Sequence, residues 1–342
     1  MKTDCSTCAS APGCSSAASK ASTPGHSAPQ ALPATAQLQQ RRRWFQAIFF
    51  AVFLLAPALN LLRFDLTETQ LWVLGFRWSL GIEAFMRGEA SAMATAWSIV
   101  WRGIIPVVTL VVAFLTVAYH FGRLYCGWLC PHFSLVETLN DLLHRATGKL
   151  SVWDKSPTPR PGRSADKRWW PVFLAACLVF GFVWAITLLT YLLPPALIWG
   201  NLVQGTLTPN QARFLAVGTL VFTLEFTLAR HLFCRFGCAV GLFQSLAWMA
   251  NPKGMVVSFT RERARECKTC DAPRGSACDH ACPMRLNPRN IKRMMFACVQ
   301  CGQCLTACDT TQTDQGRTPT LEWKVGLDAV RETLRQRRED QG

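Results

Sequence analysis

The sequence predicts an α-helical membrane protein with four transmembrane helices in two duplicated pairs, carrying a small cysteine-rich α+β domain toward its C-terminal end. Three observations predict it. Half of the 342 residues are hydrophobic and only 17% are charged, although the formal net charge is +15. Apolar stretches recur along the chain, and the loops between them alternate between an excess of basic residues and a balance of charge. Eight of the sixteen cysteines fall between positions 267 and 308. This composition fits a membrane protein with basic flanks. It argues against a nucleic-acid binder, whose lysines and arginines form stripes on a folded polar surface.

Residues 1–40 are rich in Ala, Ser, Pro and Gln, cannot bury a core, and read as a disordered tail. Cys5, Cys8 and Cys14 lie in it, with His26 further on. Soft thiolates in such a segment are candidates for capturing Cu(I) or Zn(II), or are simply thiols of a mobile tail. The membrane domain is read as residues 41–250. Arg41, Arg42 and Arg43 lead into an apolar stretch from Trp44 to Leu62, long enough to span a bilayer. The positive-inside rule puts its start in the cytoplasm. Too many residues precede the arginines for an export signal, and further spans follow.

The next loop sets Arg63, Arg77, Arg87 and Arg102 against Asp65, Glu68, Glu83 and Glu89, a net charge of zero that suits the outer side. A second span runs from Ile104 to about Phe121. The segment after it, to Arg168, has eight basic residues against four acidic and is placed inside. Trp169 to Leu193 is the third span. The stretch 194–212 has no charged side chain and reads as a short outer loop, and Arg213 to Ala229 is the fourth span. Both termini and the cysteine-rich region, residues 251–315, then lie on the cytoplasmic side of a bacterial inner membrane. Residues 316–342 read as a charged helix or tail.

The cysteine-rich region carries two runs. Cys267, Cys270, Cys278 and Cys282 read C-x2-C-x7-C-x3-C, followed by Pro283; Cys298, Cys301, Cys304 and Cys308 read C-x2-C-x2-C-x3-C. The second has bacterial ferredoxin spacing, with Asp309 where proline is usual. In such runs three cysteines on a tight loop bind one [4Fe–4S] cube and the fourth binds the other. Two clusters are therefore expected, one on Cys267, Cys270, Cys278 and Cys308, the other on Cys298, Cys301, Cys304 and Cys282. Structural zinc usually takes two pairs separated by a longer loop, and a cytoplasmic location disfavours disulfides.

A short repeat lies outside these runs. RLYCGWLCP (123–131) follows the second span and HLFCRFGCA (231–239) follows the fourth, with Cys126 and Cys234 108 positions apart. Duplicated halves of membrane proteins commonly pack about a pseudo-twofold axis, which would gather Cys126, Cys130, Cys234 and Cys238 near the inner surface. An i, i+4 pair on a helix shares one face. The four are candidates for a third iron–sulfur cluster, another metal site or a dithiol relay, against the plain alternative of small hydrophobes packing. Glu225 sits within the fourth span, nine residues before Cys234 and about 13 Å along a helix. An ionisable group at that depth accepts a proton from a ligand such as quinol or pairs with a basic residue.

The CGWLCP segment, its degenerate second copy and the C-terminal cysteine runs resemble the membrane polyferredoxin superfamily over roughly residues 44–310. Its branches include NapH, CcoG and the C-terminal half of NosR. Four spans without a large outer C-terminal domain favour the NapH-like arrangement, while LRFDL (62–66) and LGFRW (74–78) are similar to the CcoG branch. The resemblance implies an electron carrier rather than an enzyme with an organic substrate. It would work between [4Fe–4S] clusters and the quinone pool or a membrane redox partner, beside other electron-transfer subunits and without nucleic acid. A CcoG-like role would instead be copper(II) reduction or oxidase assembly, and a NosR-like one redox sensing.

Overall fold

The computed structural model describes residues 34–68, 70–155, 157–158, 164–270 and 276–341, so Cys5, Cys8 and Cys14 lie outside the described residues. The chain is mostly helical, with few strands. It opens with α1 (Ala34–Leu55) and a three-stranded antiparallel meander of β1 (Leu62–Asp65), β2 (Gln70–Val73) and β3 (Phe76–Trp78). Leu62 pairs with Val73 and Leu71 with Trp78. The Trp72 ring is held between the guanidinium groups of Arg63 and Arg77, at 5.4 and 5.2 Å.

The short α2 (Ile82–Met86) leads to α3 (Ala92–Ile99), which passes through a π-helical turn at Val100–Ile104 into α4 (Ile105–Phe121). Pro106 in the first turn of α4 lacks an amide donor, so the usual helical ladder cannot run unbroken through it. Then come α5 (Leu124–Trp128), α6 (Pro131–Thr147), α7 (Trp169–Leu192), α8 (Pro195–Gln204) and α9 (Pro209–Leu224). A capping box starts α9, with the Thr208 hydroxyl accepting from the Gln211 amide and the Gln211 side chain accepting from the Thr208 amide. A π-helical turn at Glu225–Ala229, the single turn α10 (Arg230–Leu232) and a second π-helical turn at Phe233–Gly237 follow, then α11 (Ala239–Ala250).

Three helical stretches among the described residues are long and apolar enough to cross a membrane: Ala92–Phe121, Trp169–Leu192 and Pro209–Ala250. The first expected span is different. The helix begins ten residues before Trp44 and stops at Leu55, and strand β1 begins at Leu62, where the span was expected to end. The reason is visible in α1 itself. It carries Gln39, Arg42 and Gln46, which hydrogen-bond into the protein interior, and only the run from Ala47 to Leu55 is uninterruptedly apolar. α1 nevertheless ties the cysteine-rich part to α7. Gln39 donates to the Cys301 carbonyl at 3.0 Å, while the Phe53 carbonyl accepts from Tyr191 at 2.8 Å near the other end of α7.

The C-terminal part is built on β4 (Val256–Phe259), α12 (Ala277–Ala281), α13 (Gln303–Thr313), β5 (Leu321–Lys324) and α14 (Leu327–Gln341). β4 and β5 pair antiparallel with Val257 opposite Trp323, and every residue of β4 is buried. α14, from the stretch read as a charged helix or tail, sits on this ribbon: Arg335 donates to the Phe259 carbonyl at 3.0 Å and to Glu332 at 2.9 Å. One buried core joins the helical and cysteine-rich parts. Phe133, Val136 and Trp248 from the helices meet Met284, Met295 and Val299, with Cys126, Cys234, Cys282 and Cys301 among them.

Candidate metal centres

Two cavities open in the cysteine-rich part, and the runs divide between them. Cys282, Cys298, Cys301 and Cys304 line the first, together with Pro283, Met284 and Trp323. Cys267, Cys270, Cys278 and Cys308 line the second, with Arg289 and Thr320. Each run thus gives three sulfurs to one cavity and one to the other. The loop between Cys298 and Cys304 can do this because Gln300 (φ 51°) and Gly302 (φ 71°) adopt left-handed backbone, reversing the chain twice within three residues. The buried Gln300 amide is held in that turn by donating to the Met255 carbonyl at 3.3 Å.

The cavity walls suit a negatively charged guest. The Leu286 amide donates to the Cys282 sulfur and the Ala277 amide to the Cys270 sulfur, each at 3.3 Å. The Thr320 hydroxyl lies 3.4 Å from the Cys308 sulfur. Burial pushes the thiols of Cys278, Cys282, Cys298 and Cys301 up to about 12. A metal ligand must be a thiolate, so without metal these side chains stay neutral, and a bound metal group would supply the charge that burial otherwise forbids. Among the described residues no three His, Cys, Asp or Glu side chains converge at the spacing of a single metal ion. The four-sulfur walls suit a larger polynuclear group, since thiolates on one zinc sit only about 2.3 Å from it.

The two C-x3-C segments have the same local form. Cys126 lies in α5 and Cys234 in the π-helical turn Phe233–Gly237, both buried; Cys130 and Cys238 are the extended N-cap residues of α6 and α11. The expectation that each pair shares a face of one helix is therefore corrected. Pro131 disfavours helical backbone at Cys130, and the second copy unwinds at the same place although Ala239 replaces the proline. The two halves do come together. Cys126 lies within electrostatic reach of Cys238, and Cys130 of both Cys126 and Cys238. Cys234 in turn lies within reach of Cys126 and Cys130.

Residues 126–130 also pack against the Val299–Gln300 loop that lines the first cavity. A Cβ added to Gly127 would stand 2.1 Å from the Val299 carbonyl oxygen, so only glycine permits this approach. Trp128 donates to the Gln300 carbonyl at 3.1 Å. Glu137 of α6 fastens the joint: Arg42 meets it with two bonds of 2.7 Å, Gln46 donates to it at 2.7 Å, and Gln303 donates to it from α13. Arg42 and Gln46 also donate to the Gly127 carbonyl, at 3.0 and 3.2 Å.

Glu225 faces His132, with 3.4 Å between an Oε1 oxygen and Nε2, inside a ring of Trp184, Phe226 and Phe233. Sequence reasoning found Glu225 but not its partner. The available signal was position: His132 stands two residues after Cys130 and one after Pro131.

A family model described as a 4Fe-4S binding domain matches residues 99–149, a segment whose cysteines are Cys126 and Cys130. The protein RdxA of Cereibacter sphaeroides is 26% identical over 216 residues, covering 57% of this chain and 42% of that protein. The putative electron transport protein YccM of Escherichia coli is 23% identical over 218 residues, covering 60% and 54%. The chain thus spans about half the length of these two relatives. The ferredoxin-type protein NapH of Escherichia coli is 23% identical over 223 residues, covering 62% of this chain and 67% of that protein. No solved structure matches. Together these likenesses make the chain similar to the membrane-type ferredoxins and support an iron–sulfur cofactor. Within that class they support a NapH-like polyferredoxin.

Proposed function

We propose that this chain is a membrane-anchored electron-transfer protein that holds two [4Fe–4S] clusters on the cytoplasmic face of the inner membrane. The observation that carries the reading is the division of eight cysteines between two cavities, four to each. Cys267, Cys270, Cys278 and Cys308 would hold one cluster, and Cys298, Cys301, Cys304 and Cys282 the other. A bound cluster supplies a one-electron redox centre in a protein that has no such group of its own. The chain's part is to fix that centre and its charge. Amide donors at Leu286 and Ala277 and the guanidinium of Arg289 face the sulfurs, and each favours added negative charge.

The membrane partner is a quinone or quinol, or another redox subunit in the membrane. Glu225 with His132 is the candidate proton acceptor beside it, since both are half-buried and ionisable and Glu225 lies within the long apolar stretch Pro209–Ala250. Cys126, Cys130, Cys234 and Cys238 form a further metal or redox site between the helices and the first cavity. α1 is the fourth membrane crossing, supported by its reach from Cys301 to Tyr191. Its N-terminal half would then lie on the same side as the clusters.

The test is iron and acid-labile sulfide on the full chain purified in detergent without oxygen, with EPR of the reduced protein. Two cubes require at least about eight irons and eight sulfides per chain. Replacing Cys298 and Cys301 together by Ser should remove about four irons, and so should replacing Cys267 and Cys270. Zinc in place of iron, or no change in either variant, would mean the cavities serve another purpose.

A further inference from the structure

The two cysteine cavities differ in the charge of their walls. Among the described residues, no charged side chain lines the first cavity, whose only polar side chains besides the cysteines are the neutral Gln300 and Trp323. The second is lined by Arg289 and by the hydroxyl groups of Ser276, Thr311 and Thr320. Thr320 is 1% exposed, and its hydroxyl stands 3.4 Å from the Cys308 sulfur and 3.9 Å from that of Cys267. Arg289 is half-buried. One of its terminal nitrogens donates to a carboxylate oxygen of Asp279 at 2.8 Å, and Ser276 donates to the same oxygen at 2.8 Å. The Arg289 Nε is buried without a partner. A buried donor needs an acceptor, and the sulfurs of an anionic cube are acceptors of that kind.

The cavities also differ in what packs around them. Cys282 and Cys301 of the first belong to the core that Phe133 and Trp248 of the helices share. Cys278 and Cys308 of the second pack with Val257, Phe259 and Leu321, all from the cysteine-rich part.

We propose that Arg289 makes the [4Fe–4S] cluster of the second cavity the more easily reduced of the two, so that an electron shared between them rests outside the core shared with the helices. Reduction adds one negative charge to a cube, and a cation in the wall favours that form. The first cavity meets the added charge with dipoles alone, among them the Leu286 amide. The second has the Ala277 amide, the Thr320 hydroxyl and a full positive charge. Asp279 opposes that charge, but it holds the guanidinium at a terminal nitrogen and is not part of the cavity wall. In the exchange one cluster loses the electron that the other gains, and no bond is made or broken. This rests on the two-cluster reading and adds to it the place where the electron stays.

The experiment uses the full chain in detergent, loaded with iron and sulfide without oxygen, with EPR followed at a series of applied potentials. Replacing Cys298 and Cys301 by Ser leaves the second-cavity cluster to be measured by itself, and replacing Cys267 and Cys270 leaves the first. The second-cavity signal should appear at the less negative potential. Arg289→Gln should lower the ratio of reduced to oxidised cluster there about tenfold at a fixed potential, a shift of about 59 mV for one electron. The first-cavity signal should stay in place, and Arg289→Lys, which keeps the charge, should keep most of the ratio. Asp279→Asn removes the counter-charge, so it should move the same signal the opposite way, to less negative potential. A residue that only packed the wall would send Arg289→Gln and Asp279→Asn in the same direction, and that result overturns the proposal. So does a second-cavity cluster that is the harder of the two to reduce, or an equal shift in Arg289→Gln and Arg289→Lys. Loss of second-cavity iron from all three variants overturns it as well, since Arg289 would then hold the site rather than set its potential. Iron that neither cysteine replacement lowers is a separate result, which removes the two-cluster reading itself.

Discussion

Single side chains set the tightest constraints. Gly127 is one, because its backbone touches that of the Cys298–Cys301 loop. Gly127→Ala should force the two loops apart at a cost of about 1–3 kcal/mol, the usual range for overpacking. Thermal unfolding should detect it, together with a lower iron content on Cys298, Cys301, Cys304 and Cys282. A melting point equal to that of the unsubstituted chain would show that Val299 yields freely. Glu137 is another. Glu137→Gln strands the Arg42 guanidinium, 1% exposed, without its counter-charge. Breaking a buried pair from one side typically costs about 3–5 kcal/mol. The loss should shrink in the double variant Arg42→Met/Glu137→Gln, and a loss that is simply additive would refute the pairing. At this scale the eight ligand candidates were legible because their spacing is local. His132 and Glu137 were not, since each gains its meaning from a residue far along the chain.

Elements show where periodicity informs and where it fails. The stretch Trp169–Leu193 was read almost to its ends from apolar length alone, whereas the one expected from Ile104 to Phe121 already begins at Ala92. α1 was misread because hydropathy ignores what its polar half touches, and the β1–β3 meander has no alternation strong enough to announce itself. That meander is pinned by Asp65. Burial pushes its carboxyl up, but bonds from Thr67 and Arg63 outweigh this and hold it below the ordinary value of 3.8. A lowered value contributes stability above 3.8 that disappears as pH falls through the carboxyl's own lower value. The gap in thermal stability between the unsubstituted chain and Asp65→Asn should therefore be full at neutral pH and close in strong acid. A gap independent of pH would remove the carboxylate from the explanation. On the two-cluster proposal, the cysteine cavities should respond to metal. Chelating the iron should loosen the Cys267–Cys308 region, read as faster amide exchange there than in α7.

On the scale of the molecule, helices and cysteine-rich part share one core, so neither is a passenger on the other. The sequence repeat implied that the two C-x3-C pairs might meet, yet only the tertiary arrangement brings Cys126 and Cys130 within reach of Cys234 and Cys238. The Glu137 joint has a consequence for how the chain is made. Gln39 and Arg42 leave the ribosome early, but the Cys301 carbonyl and Gln303 to which this network is tied are synthesised some 262 positions after Gln39. α1 therefore stays unlatched at this end until the segment carrying Cys301 and Gln303 has been made. Arrival of the Cys298–Cys308 run is then the event that latches α1 and α6 together, so folding of the amino-terminal helix is coupled to synthesis of a segment far along the chain.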